Sequence, residues 1–583
     1  MALLPVVLAV IVLAFSLSDQ QGPLGTNLAP DAYNGQNAYG TMHRFAAEYP
    51  DRRPGSTGDD ALASDVAGSL THDNFGVRID TFKAKTVDGT RTLENVIATR
   101  AGLGNGSIVI VAHRDSLQSP STADLSGTAV MLEMARVLSG QSLKHTVVLA
   151  STSGSVGAVG ATRLARSLQQ PVDAVLVLGD LAGSQVHGPT VVPWSDGQSV
   201  APPVLRKTLA AALGAQAGLG AGSTGLGGQL AHLALPLSPT EQAPFGGAGQ
   251  PAVLLSVSGE RTPPSGEPTS LNQITGLGRT VLQSINAIDA TPSIPSPSSY
   301  LVFSGKSIPA WAVRLLVLAL ILPVLVATID GLARARRRGH SIARWSAWVL
   351  AAAVPFALVV AVVVIARVTG LIVAPPAPVG GGAITLHAGQ IAALCGMALL
   401  VLGGLVWLRP ALIWLLGPTR SRQRDEGGSY GPGAAAAILL LLCLVTLVIW
   451  VANPFAALLL VPALHLWLWI VVPDVRLRAP VAVVMLLAGI AAPALIAATY
   501  ATTLGLGPVE AAWSWVLLLA GGGVGVLAAL EWCVVLGCAF SVAVVAVAAA
   551  REPRPEDAPV TVRGPVTYAG PGSLGGTESA LRR

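Results

Sequence analysis

Hydrophobic and polar positions divide the 583 residues into three regimes. Residues 2–18 (ALLPVVLAVIVLAFSLS) are one apolar run, long enough for a short transmembrane helix or a signal-peptide core. No basic segment precedes it and no clear A-x-A site follows, so residues 1–20 are read as an uncleaved anchor, with a cleaved signal as the alternative. From 19 to 300 charges return and short apolar runs appear: SIVIVAH (107–113), TVVLAST (146–152), AVLVLGD (174–180) and PAVLLSV (251–257). Runs this short and this rich in Val and Ile suit strands buried on both faces of a sheet. Between the first two, GTAVMLEMARVLSG (127–140) has apolar residues at helical spacing and a Gly stop. Strand, helix and strand in this order predict an α/β domain over 21–290. Residues 291–308 are Pro/Ser-rich and read as a linker.

From 309 to 550 the pattern predicts an all-α transmembrane bundle of about seven helices, with spans at 311–329, 346–366, 388–408, 434–452, 455–473, 480–502 and one within 513–550. The last stretch is too long for one ordinary helix. It divides either around Glu531 or by a lip near GGGVG (521–525). Loops 334–344, 420–424 and 475–478 are basic, whereas 374–387 and 504–510 carry no Lys or Arg. That alternation places residues 21–308 outside the cytoplasm, and the cell membrane is the expected location. The tail, 551–583, is Pro/Gly-rich and expected to be disordered.

Composition sharpens this picture. Only 11% of residues are charged and 52% are hydrophobic, against about 25% charged in soluble domains, so the bilayer is the first partner. A net charge of +5 fits cytoplasmic loops and gives no reason to expect nucleic acid. The four cysteines, Cys395, Cys443, Cys533 and Cys538, all lie in apolar stretches. Residues 19–308 contain none, which excludes disulfides, a Cys-ligated zinc site and a cysteine nucleophile there.

Candidate chemistry gathers at strand ends. His113-Arg114-Asp115 closes one predicted strand and Asp180 another, and sites in open α/β sheets form at the carboxyl ends of strands. A His with two carboxylates there suits a divalent metal, although a strand-end His equally serves as a structural hydrogen-bond partner. His187 and His232 read as loop or surface residues. His465 lies within a span, where a hydrogen bond to a neighbouring helix is the simplest role.

The order of segments adds a resemblance. RRPGSTGDDALASDVAGSL (52–70), ENVIATRAG (94–102), IVIVAHRDS (108–116), DLSGTAVMLEMARVL (124–138), TVVLASTSGSVGAVGATRLA (146–165), LGDLAG (178–183) and EQAPFGGAGQPAVLL (241–255) resemble, over about residues 40–285, the M28 family of zinc aminopeptidases, which includes glutaminyl-cyclase-like proteins. The resemblance implies a zinc-exopeptidase-like fold, a mixed, mostly parallel sheet flanked by helices, and two zinc ions held by five side chains. His113 and Asp180 then match metal ligands, and Asp115 matches the carboxylate that orients ligand and water.

Other family positions are replaced. Ala123 stands where the bridging aspartate is usual, and Asp124 takes that place only with a shift of one residue. Gly154 and Ser155 replace the paired glutamates, one the general base and one a ligand. Gln242 replaces the last His, with Glu241 beside it. Two zinc ions concentrate four positive charges and need anionic ligands, so the set left here holds one metal weakly or none. The sequence therefore favours a catalytically impaired, membrane-anchored M28-like protein that binds or scaffolds peptides or proteins outside the cytoplasm. An active zinc aminopeptidase with an altered site, Glu241 substituting, is the alternative. A transporter with a binding domain is a third, disfavoured by the scarcity of charge in the spans.

Overall fold

A computed structural model describes residues 3–551 apart from Pro120, 169–170, 419–430, 473–474 and Arg476. The basic segment 420–424, Arg476 and the tail 552–583 lie outside the described residues. The opening apolar run forms α1 (Leu3–Phe15), followed by the short strand β1 (Ser18–Asp19). The α/β domain then runs α2 (Gly35–Glu48), α3 (Thr57–His72), β2 (Gly76–Thr86), β3 (Gly89–Arg100), β4 (Ser107–His113), α4 (Ser126–Ser139), β5 (Thr146–Thr152), α5 (Val159–Ser167), β6 (Val172–Leu178), β7 (Val191–Val192), α6 (Pro203–Ala217), α7 (Leu226–Ala234), α8 (Gln242–Gly247), β8 (Ala252–Leu255) and α9 (Leu271–Asp289).

The strands form one seven-stranded sheet in the order β2-β3-β5-β4-β6-β8-β7. β5, β4, β6 and β8 are parallel, and the flanking pairings are antiparallel. The Val/Ile runs become the central strands because they are covered on both sides. Ile108, Ile110 and Ala112 of β4 belong to one core with α4 and α9, while Val109 and Val111 belong to the other, facing α5. Burying each such side chain contributes about 1.5–3 kcal/mol. α4 can begin against β6 only because residue 127 is glycine: a Cβ there would stand 2.3 Å from the Leu178 carbonyl oxygen. The parallel strands end together, which brings His113, Thr152, Asp180 and Ser256 to one rim.

The second half of the Pro/Ser-rich segment is ordered as a hairpin, β9 (Tyr300–Phe303) and β10 (Lys306–Pro309), and β10 also pairs with β1. Beyond it come α10 (Ala310–Arg337), α11 (Ile342–Val368), α12 (Ala388–Leu416), α13 (Pro432–Ala452), α14 (Pro454–Val471), α15 (Ala479–Thr503), the shorter α16 (Pro508–Gly521) and α17 (Val526–Arg551). Seven of these, all but α16, are long and apolar enough to cross a membrane, as expected of a multi-pass protein. The long final stretch breaks at Gly522, in the left-handed region with φ +87°, and not at Glu531, which lies inside α17. Close packing uses small residues: Gly489 lies under fully buried Trp467, whose indole nitrogen would be 2.2 Å from a Cβ. His465 Nε2 pairs with the Leu320 carbonyl of α10 at 2.9 Å, a helix-to-helix hydrogen bond.

The α/β domain is seated on one end of this bundle. Asn453, between α13 and α14, donates to the Leu233 carbonyl at 2.8 Å. Arg261 donates to the Thr503 and Thr502 carbonyls at the end of α15 at 2.8 and 2.7 Å. Gln198 donates to Ala452 O at 2.8 Å.

Candidate functional site

The rim of the parallel strands forms the floor of a cleft of about 90 Å³. At the end of β4, His113 Nδ1 lies 3.4 Å from Glu241 Oε2. Glu241 is buried, and its other oxygen accepts from Thr152 Oγ1 at 2.6 Å. Burial alone pulls an imidazole pKa down. Here the hydrogen bond to Glu241 and its charge, with Asp124 and Asp115 nearby, outweigh that and lift His113 to about 9. The surroundings thus favour the protonated form of His113 beside Glu241.

The remaining carboxylates are distributed around it. Asp115 accepts from the Ser155 amide at 3.1 Å and from Ser155 Oγ at 2.9 Å. Burial and the neighbouring Asp59 charge push it up to about 7. Asp124 sits in a single 3-10 turn, Ala123–Leu125. Its Oδ2 accepts from Ser116 Oγ at 2.7 Å, while Oδ1 is buried without a hydrogen-bond partner. Asp180, on the loop after β6, accepts from the Ala182 and Gly183 amides at 3.1 and 2.7 Å and from Ser258 Oγ at 2.7 Å. Burial raises the pKa of both Asp124 and Asp180.

Two of the sequence candidates turn away from the cleft. Arg114 is fully buried and pairs with Asp59 at 2.8 Å, donating also to the Ser151 and Glu94 carbonyls. Its role is to tie α3 to the central strands. Gln242 is buried too, with Nε2 donating to Trp194 O at 3.0 Å and Ser238 Oγ at 3.1 Å. Glu241, the neighbour, is the residue that reaches the cleft. Ala123 is buried in its turn and offers no ligand atom. Gly154 has φ +82°, and a Cβ there would be 2.9 Å from Leu93 Cδ1. The loop is thus shaped for glycine at the position where the resemblance led one to expect glutamate.

The structure adds features that strand-end motifs do not announce. The cleft is roofed from the helical region: Pro378, Gly380, Gly382 and Ala383 of the α11–α12 loop and Leu504 after α15 line it. Gly382 lies so close to Gln118 that a Cβ would be 2.0 Å from its amide nitrogen. On the wall, Glu260 accepts from Ser238 Oγ at 2.8 Å and faces His232 Nε2 at 3.3 Å. His232 is buried, not exposed as the sequence suggested. It stacks on Trp194 at 4.6 Å, and its Nδ1 is 3.4 Å from the Tyr500 hydroxyl of α15. Burial pushes Glu260 up to about 7 and His232 down to about 4. The sequence signal for this pair was weak, because Glu260 is 28 residues from His232 and Tyr500 another 240 further on.

As metal ligands these residues do not fit the two-zinc set. Among the described residues no group of three or more His, Cys, Asp or Glu side chains is arranged to hold a metal ion. His113 Nδ1 faces Glu241, which leaves Nε2 as the nitrogen that could ligate, while both Asp180 oxygens already accept hydrogen bonds.

The domain is a mixed sheet with helices on both faces and a His/Asp cleft at the carboxyl ends of its parallel strands. Residues 95–219 match peptidase family M28; the chain joins an M28 peptidase-like domain to a multi-pass helical region. No curated protein sequence matches it. Among solved structures, a zinc aminopeptidase from Bacillus subtilis is 14% identical, covering 43% of this chain and 94% of its own, with a TM-score of 0.35. A glutaminyl cyclase from an Acidobacteriales bacterium is 19% identical over 46% of this chain and 99% of its own, TM-score 0.35. The Porphyromonas gingivalis glutaminyl cyclase is 17% identical over 44% and 98%, TM-score 0.34.

Proposed function

We propose that this protein is a membrane-integrated pseudopeptidase, whose M28-type cleft binds a ligand without hydrolysing it. The observation that carries the reading is the His113–Glu241 pair, in which an imidazolium stands where the family has a metal cation. Zinc chemistry in the family needs anionic ligands and a carboxylate base. Here Ala123, Gly154, Ser155 and Gln242 supply neither, and loss of a general base alone costs about 10²–10⁴ in rate. Asp115, free of the duty of orienting a zinc-bound imidazole, instead holds the glycine-bearing loop through Ser155.

Orientation follows from the loops. Those that touch the α/β domain, 369–387, Asn453 and 504–507, carry no Lys or Arg, whereas Arg334, Arg336 and Arg337 lie at the opposite end of α10. The positive-inside rule supports reading the domain as extracytoplasmic; with the cell membrane as the expected location, its ligand is a peptide or other molecule met there. One observation favours the alternative of an active, altered zinc aminopeptidase: Glu241 reaches into the cleft.

The test is hydrolysis of a panel of amino-acid aminocoumarin amides by the full chain in lipid nanodiscs with added zinc. The proposal expects no turnover above background. Turnover abolished by both His113→Ala and Glu241→Gln would establish the enzyme.

A further inference from the structure

A second cavity, of about 490 Å³, lies between α6, the loop before α7 and the β9–β10 hairpin, and shares no lining residue with the cleft. Its volume is that of a small-ligand site. The walls are fixed by the fold itself. Gln229, 8% exposed, donates from Nε2 to the Thr224 carbonyl at 2.9 Å and the Val302 carbonyl at 3.1 Å, and accepts from the Val302 amide at 2.7 Å. That one side chain ties the loop to the hairpin. Gly222 has φ +75°, and a Cβ there would be 2.6 Å from Pro189 Cα, so the loop takes this course only with glycine. Trp194, buried and stacked on His232, is a further wall.

The charge of the cavity is of one sign. Arg206 and Lys207 of α6 line it, and no Asp or Glu does. Both side chains are half-buried. Among the described residues their hydrogen bonds go only to Gln20: Arg206 Nη2 donates to its Oε1 and Lys207 Nζ to its backbone oxygen, each at 3.4 Å, longer than an ordinary hydrogen bond. Most of the donors of a guanidinium and an ammonium are thus left over, with no carboxylate in the cavity to take them. The cavity also meets the first turn of α7, through Gly225 and Leu226. No side chain caps that end, so its leading N–H groups have no intrahelical partner.

We propose that this cavity binds a phosphate group, with Arg206 and Lys207 as counter-charges and the first turn of α7 supplying backbone donors. A guanidinium fork, a point charge and a helix N-terminus offer donors of three kinds, and they match an anion with three terminal oxygens better than the two of a carboxylate. The site is independent of whatever the cleft does. Its place on the molecule gives the phosphate two sources. β10 runs straight into α10 and pairs with β1, just after α1, so the hairpin wall stands on the segments that join the domain to the bundle. Phe303 and Leu226, which line the cavity, are 51% and 45% exposed. A phospholipid headgroup reaches such a site from the bilayer, and a soluble phosphate ester from the aqueous side.

The test is isothermal titration calorimetry of the full chain in dodecyl maltoside, a detergent without phosphate. Glycerol 3-phosphate and dihexanoyl phosphatidic acid are titrated separately, with succinate as the carboxylate comparison and empty micelles as the blank. The proposal expects at least one ester to bind at least tenfold tighter than succinate, and more weakly as salt is added. Equal binding of the two esters marks a soluble ligand, and at least tenfold preference for phosphatidic acid marks a lipid. Binding should weaken at least tenfold in Arg206→Gln and in Lys207→Gln. Ala210→Glu keeps both cations and guards against a loss caused by misfolding. Ala210 lines the cavity on α6, three residues after Lys207 and four after Arg206, so a glutamate there pairs with both and should abolish binding at an unchanged melting temperature. No binding of either ester, binding unchanged in Ala210→Glu, or succinate bound as tightly as the esters overturns the proposal.

Discussion

The His113–Glu241 pair makes a stability prediction that needs no ligand. Replacing Glu241 by Gln keeps an oxygen for the Thr152 hydroxyl and removes the charge that holds the imidazolium. His113 is raised from 6.5 to about 9, and its side chain is only 17% exposed. A shift of that size corresponds to about 3 kcal/mol of folding free energy at pH 6. Because the folded pKa is the higher one, this stabilisation is complete below pH 6.5 and is lost as pH rises through 9. At about 2–4 °C per kcal/mol for a domain approaching this size, E241Q should melt about 6–12 °C below the parent at pH 6, and the gap should close by pH 10. The assay is a thermal melt of the full chain in nanodiscs at half-unit pH steps, read as the difference between the two proteins so that other titrating groups cancel. A gap that is absent at pH 6, or constant to pH 10, would refute the ion pair.

Other perturbations separate parts of the account. Glu260 is raised to about 7 by burial, so the folded state holds its proton more tightly and stability falls as pH rises from 4.5 to 7; Glu260→Gln should remove that fall and melt above the parent at pH 8 while matching it at pH 4. Arg114→Met leaves Asp59 charged and buried and should cost about 3–5 kcal/mol, seen as a lower urea midpoint, with Asp59→Asn in the same chain restoring part of it. Gly154→Glu, which reinstates a family carboxylate, meets a left-handed backbone at φ +82° and should destabilise by about 1–3 kcal/mol without producing aminopeptidase activity in the aminocoumarin assay; activity with added zinc would show that only the base was missing.

Much of the architecture was legible because it is written in local pattern. The Val/Ile runs are β4 and β5 residue for residue, β6 displaced by two residues toward the N-terminus, and β8 trimmed at both ends, and the apolar stretches after 309 are the long helices. Ala123, Gly154 and Gln242 likewise need no coordinates to lack a carboxylate or imidazole. What pattern left hidden lies in contacts between distant segments. His113-Arg114-Asp115 reads as one strand-end cluster, yet Arg114 turns inward because Asp59, 55 residues earlier, awaits it under α3. His232 looked like a loop residue because its partners, Trp194, Glu260 and Tyr500, come from three other parts of the chain. The roof over the cleft was beyond reach for the same reason: loop 374–387 registered only as a non-basic connector, and nothing in its glycines signals Gln118. The 291–308 segment shows the limit of composition, since its Pro and Ser residues precede a hairpin that anchors β1 and leads into α10.

The central claim is that a charged His–Glu pair occupies the place of the family's metal centre. Its most direct test is the zinc content of the full chain, purified in nanodiscs, equilibrated with micromolar zinc, dialysed and measured by inductively coupled plasma mass spectrometry. The account predicts a stoichiometry near zero, the same in the parent, His113→Ala and Asp180→Ala. One or two zinc ions per chain, lost in both variants, would contradict it.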